Sequence, residues 1–209
     1  MVNIRAIAVS GFLLACASVQ AWAETVNIVG FGDSLMAGYQ LPPQDAFPNK
    51  LEAALKQRGY DVAVQNAGVS GDTTSGGLAR LDWSVPDETD IVILELGGND
   101  ALRGIAPAIT RKNLDDMVTQ LKARDIAVIL AGILAPPNMG DDYASAFNPI
   151  FEELAEKHDV PLYPFFLDGA ITVDGKMLAD GIHPNGAGTT VMVERFLPLI
   201  TDVIDAGGD

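Results

Sequence analysis

Four short runs rich in Val and Ile limit what this chain can become: residues 26–31 (VNIVGF), 61–66 (DVAVQN), 91–96 (IVILEL) and 126–132 (IAVILAG). Runs of this length and composition suit strands buried on both faces. A weaker fifth, residues 160–165 (VPLYPF), carries Pro161 and Pro164. Proline cannot donate to a ladder, so this run belongs at an edge or a strand start. The stretches between have helical spacing. Residues 49–58 place Leu51, Ala54 and Leu55 on one stripe; residues 107–123 do so with Ile109, Leu114, Met117, Val118 and Leu121; residues 143–158 do so with Phe147, Ile150, Phe151 and Leu154. A last helix is predicted from about residue 187 to about residue 204. Strand then helix, repeated, implies right-handed crossovers and a parallel sheet covered on both faces, hence an α/β fold of about five strands.

Composition narrows the class further. The 209 residues are 48% hydrophobic and 20% charged, enough for a substantial core and against disorder. The net charge of -15 repels a phosphate backbone, so nucleic acid is not expected as a partner. One cysteine and two histidines exclude an internal disulfide and a thiolate cluster, and argue against a catalytic zinc. Asp168, Asp174 and Asp180 lack calcium-loop spacing, and no cofactor or metal is called for.

The first segment reads as an address. Arg5, an apolar run over about residues 6–17, and Ala21-Trp22-Ala23 before Glu24 give the three-part layout of a secretory signal peptide. The run is shorter than the roughly 20 residues a membrane span needs, so no stable membrane insertion is expected. Residues 1–23 are thus read as a leader and residues 24–209 as a single domain, periplasmic or secreted. Leu13-Leu14-Ala15-Cys16 loosely resembles a lipobox, which would instead make Cys16 a lipid anchor.

In a parallel sheet of this kind, ligands bind beyond the carboxyl ends of the strands. The loops there hold Gly32-Asp33-Ser34-Leu35, then Asn66-Ala67-Gly68-Val69-Ser70-Gly71-Asp72, then Gly97-Gly98-Asn99-Asp100; Asp180-Gly181-Ile182-His183-Pro184 precedes the last helix. A serine hydroxyl is a weak nucleophile until a base takes its proton, and the usual base is an imidazole oriented by a carboxylate. His158 lies at a charged helix end, where a solvated or dipole-complementing role suits it better. His183, three residues after Asp180, is the candidate base for Ser34, with Asn185 as the competing reason for that loop, a helix cap. The Ser34 amide, the Gly71 amide and the Asn99 side chain are candidate oxyanion donors, although Gly71 also suits a turn and Asn99 a cap.

These blocks, in this order, resemble those of the SGNH (GDSL) hydrolase family, and in particular its exported bacterial branch of arylesterases, lysophospholipases and acyl-CoA thioesterases. The likeness runs from Val26 to about Ile200 and includes Gly77-Leu78-Ala79-Arg80-Leu81. It implies a three-layer α/β/α sandwich, flavodoxin-like in class, with Ser34 as nucleophile, His183 as base, Asp180 as its orienter, and Gly71 and Asn99 completing the oxyanion hole with the Ser34 amide. Other readings of Ser34 and the glycines fail at particular positions. Met36 breaks a Gly-x-Ser-x-Gly elbow, and Leu35 breaks a dinucleotide fingerprint.

The substrate expected is a small ester or lipid. Leu35, Leu102, Ile133, Leu134, Pro137, Met139, Phe166 and Ile182 are candidate lining residues, mostly apolar and suited to acyl or aryl groups. The acidic charge disfavours strongly anionic substrates unless Arg80 and Arg103 form a local basic patch. Neutral esters rank first, lysophospholipids second and thioesters third. A carbohydrate O-deacetylase and a non-catalytic lipid or glycan binder are the alternatives.

Overall fold

A computed structural model of the protein describes residues 25–207; the segment read as a leader, Cys16 included, lies outside the described residues. The chain runs β1 (Val26–Gly32), α1 (Ser34–Ala37), α2 (Phe47–Gln57), β2 (Val62–Gly68), α3 (Thr74–Ser84), β3 (Ile91–Glu95), α4 (Gly98–Leu102), α5 (Pro107–Lys122), β4 (Ala127–Ala131), α6 (Asp141–Phe147), α7 (Ile150–His158), β5 (Leu162–Tyr163) and α8 (Gly186–Gly207). All five strands are parallel, in the order β2-β1-β3-β4-β5. Helices cover both faces: α2 packs on α8, and α5 packs on α3 and α7. This is the α/β sandwich expected.

Position in the sheet explains each strand's composition. Every residue of β3 is buried, and β4 is buried from Val128 on. β2 departs from the expectation of burial on both faces. As an edge strand it buries Val62 and Val64 toward α2 and leaves Ala63, Gln65 and Asn66 exposed. β5 pairs over two residues only, between Pro161 and Pro164, as proline at an edge requires. The helix expected over residues 143–158 is two helices, separated at Asn148 and Pro149; Pro149 lacks the N–H that would continue the ladder.

Helix α3 was not anticipated, because Gly76 and Gly77 depress helix propensity. The fold needs glycine there. A Cβ on Gly77 would lie 2.2 Å from Leu96 Cδ1, so its absence lets α3 approach the end of β3. Thr73 caps the helix, its hydroxyl accepting from the Gly76 N–H.

On the other face an aromatic cluster joins helices to sheet. Phe47 of α2 meets Phe166 and Phe196 edge-on, and Phe196 of α8 meets Tyr163 of β5. Phe196 is fully buried. Phe196→Ala should destabilise the protein by about 3–5 kcal/mol, the usual result of emptying an aromatic core site. Denaturant unfolding checks this, and a change below about 1 kcal/mol would mean the cluster is not part of the cooperative core.

Candidate active site

The loop between β1 and α1 presents Ser34 at the carboxyl edge of the sheet's second strand in spatial order. The loop before α8 brings His183 to it across 149 residues of sequence, with His183 Nε2 2.8 Å from Ser34 Oγ. Asp180 Oδ2 lies 2.7 Å from His183 Nδ1. Two backbone amides, those of His183 and Ile182, donate to Asp180 Oδ1 and hold its pKa down to about 2. An ionised Asp180 can only accept, so Nδ1 carries a proton. In the neutral ring Nε2 then accepts from the Ser34 hydroxyl. The loop is closed by Leu178 N–H donating to the His183 carbonyl and Asn185 N–H to that of Lys176. Asn185 Oδ1 also accepts from Ala187 and Gly188, so the capping role weighed for Asn185 and the pairing of Asp180 with His183 occur together.

His158 stands apart from this cluster, its Nε2 2.5 Å from Asp115 Oδ1. Its side chain is mostly buried, which corrects the solvated placement; α7 packs on α5 and brings the imidazole onto that carboxylate.

Gly71 has φ +84°, a conformation that disfavours any side chain, and its carbonyl accepts from Arg103 Nη2 at 2.7 Å. Asn99 donates one Nδ2 hydrogen to Asp33 Oδ2 at 3.0 Å and keeps the other free of that bond. It lies inside α4, which starts after Gly97, and is not a cap.

Two acids beneath Ser34 escaped sequence reasoning. Asp33 caps α1 by accepting from Leu35 N–H. Burial raises its pKa to about 6 against those hydrogen bonds. Glu95, the last residue of β3, is completely buried; Oε2 accepts from Asp33 N–H at 3.2 Å. Oε1 has no partner among the described residues. Burial, and then the neighbouring charge of Asp33, push Glu95 well above the usual carboxylate range. A glutamate closing an apolar run, two residues before a glycine pair, was the one signal available.

The expected lining residues divide by burial. Leu35, Ile133 and Phe166 are buried in the hydrophobic core. Leu102, at the end of α4, and Leu134, Pro137 and Ile182 are exposed, and Met139 is partly so. Arg80 is no surface cation. It is buried, pairs with Asp72 at 2.7 Å, donates to the carbonyls of Gly32 and Ala67, and covers the ring of Phe31.

The model of the GDSL-like lipase/acylhydrolase family matches residues 31–191. The chain belongs to that family. Among relatives, esterase TesA of Pseudomonas aeruginosa is 40% identical over 96% of this chain and all of its own length. The thioesterase 1/protease 1/lysophospholipase L1 of Escherichia coli strain K12 is 39% identical over 83% of this chain and 82% of its own. The solved structure of the psychrotrophic esterase EstA from Pseudoalteromonas sp. superimposes with a TM-score of 0.81 at 29% identity, covering 86% of this chain and 98% of that one. The protein is therefore an SGNH-type hydrolase, as the motifs implied.

The buried acids give this hydrolase a defined pH signature. Groups whose folded pKa is raised contribute stability fully present below their unfolded pKa and lost as pH rises through the folded value. For Asp33 that window runs from about 3.8 to about 6, and for Glu95 it extends higher. Glu95→Gln mimics the neutral acid and cannot ionise. Its stability relative to wild type should therefore rise between pH 5 and pH 9 in denaturant unfolding; a difference that stays flat over this range would show that Glu95 is ionised in the fold.

Proposed function

We propose that the protein is an exported serine esterase that hydrolyses small neutral carboxylic esters through an acyl-enzyme. One observation carries the reading: Asp180, His183 and Ser34 form an unbroken hydrogen-bonded relay ending on a serine hydroxyl. Ser34 Oγ attacks the ester carbonyl while His183 Nε2 takes its proton, and Asp180 stabilises the imidazolium that forms. Collapse of the tetrahedral intermediate expels the alcohol, which leaves with the proton from Nε2. Water then attacks the acyl carbon by the same path, and Ser34 recovers its proton.

The oxyanion donors are assigned as the Ser34 and Gly71 amides and the free Nδ2 hydrogen of Asn99. Within the α1 turn the amides of Leu35 and Ala37 already donate to Asp33 Oδ1 and the Asp33 carbonyl. The Ser34 amide has no acceptor among the described residues, which suits it to a developing negative charge.

Exposed Leu102, Leu134 and Ile182 favour an acyl or aryl group. Arg80 is buried against Asp72, which leaves Arg103, exposed beside Gly71, as the one of these two arginines that faces the site against a net charge of -15. This supports neutral esters over lysophospholipids, and both over highly anionic thioesters.

Ser34→Ala should lose about 10⁴-fold or more in kcat/KM for p-nitrophenyl butyrate, with little change in stability. His183→Ala should lose nearly as much, Asp180→Ala less, and the double variant scarcely more than His183→Ala, because the two act in one step. His158→Ala should change the rate less than about twofold. Multiplicative losses for Asp180 and His183 would mean the base is wrongly placed.

Residues 1–23 are proposed as a cleaved leader, on the layout of Arg5, the apolar run and Ala21-Trp22-Ala23. Intact mass of protein made in a Gram-negative host should place the N-terminus at Glu24. An acylated Cys16 would instead make the protein a lipoprotein.

A further inference from the structure

The ring of Tyr39 lies on the imidazole of His183, with centroids 4.4 Å apart and planes inclined at 35°. Nothing in the relay itself requires an aromatic residue there. We infer that Tyr39 is a positioning residue that holds the His183 ring face and stabilises it when it carries the Ser34 proton, through the ring-face contact of the two side chains.

The backbone is built to put Tyr39 there. Its N–H donates to the Ser34 carbonyl at 3.1 Å, so nucleophile and aromatic ring belong to one turn. Gly38 before it has φ +76°, and Gln40 after it has φ +57°, a left-handed conformation that a non-glycine residue adopts only when its surroundings demand it. Leu41 N–H closes the turn onto the Gly38 carbonyl. His183 is thus held at three points: Asp180 on Nδ1, Ser34 on Nε2 and Tyr39 on the ring face. During acyl transfer the imidazole becomes a cation, and a cation on the face of an aromatic ring within about 6 Å is attracted by the ring quadrupole. That attraction is stronger in the transition state than in the resting enzyme, which is the condition for raising kcat. The other charged groups facing the imidazole are Asp180 and, from the α1 turn, Asp33. Tyr39 is partly exposed, and its hydroxyl has no partner among the described residues, so the ring and not the hydroxyl is the working part.

The inference rests on the triad reading above, and the experiment separates the two. Tyr39→Leu and Tyr39→Phe are assayed beside Ser34→Ala on p-nitrophenyl acetate, butyrate and hexanoate. Tyr39→Leu should lower kcat about 3- to 5-fold, by a similar factor for all three esters and with KM nearly unchanged, while Tyr39→Phe stays within about twofold of wild type. A loss that grows with acyl length or falls on KM would make Tyr39 a substrate wall and overturn the inference. So would wild-type kcat in Tyr39→Leu, or equal losses in Leu and Phe. If Ser34→Ala were active, the triad reading itself would fall.

Discussion

The turn that carries Ser34 is a helix of only four residues, too short to hold itself, and it rests on the buried carboxyl of Glu95. A serine placed at the end of a buried strand brings backbone amides into a region with little water, and each must find an acceptor. Asp33 supplies one by capping Leu35, and Glu95 supplies another from the neighbouring strand. Asn99 in turn fixes Asp33. Nucleophile, cap and candidate oxyanion donor are therefore joined through β1, β3 and α4, and the serine's own amide is the one left over.

A third buried acid organises the loops beside it. Asp100 accepts from the Thr74 amide at 2.8 Å, from the Thr74 hydroxyl at 2.5 Å and from the Thr110 hydroxyl at 3.1 Å. Asn113 bridges to Thr74 and Ser75. These bonds tie the start of α3 to α4 and α5, so the loop holding Gly71 is fixed relative to the helix holding Asn99. Arg103 adds a clamp from the end of α4 to the Gly71 carbonyl.

Three carboxyl groups around one serine and one histidine thus sit in three environments. Asp180, near the surface and hydrogen-bonded by backbone amides, stays ionised far below neutral pH. Asp33 is buried but has donors, and titrates near 6. Glu95, fully enclosed with one oxygen unpaired, is pushed well above the usual carboxylate range by burial and then by the charge of Asp33. Only the first has both the charge and the position to orient an imidazole, so the division of roles follows from burial and donor count.

Strand runs, the alternation with helical stripes, and the four loop blocks are properties of local sequence, and by themselves they determined the α/β sandwich, the pairing of Ser34 with His183 and Asp180, and the candidate donors Gly71 and Asn99. What local pattern could not carry is anything decided by which elements touch. Edge placement of β2 follows from the strand order, and in α3 Leu96 fills the space that Gly77 leaves and Asp72 the space beside Gly76. Arg80 reads as a surface charge until the fold closes Asp72 and two carbonyls around it. Leu35, Ile133 and Phe166 look like surface loop residues in the sequence, and the fold buries them in the hydrophobic core. Glu95 and Tyr39 are an ordinary acid and an ordinary aromatic in the sequence. Only tertiary packing, which sets the dielectric around one and places the other on His183, gives them their parts, because burial and ring contact join residues 62 and 144 positions apart in the chain.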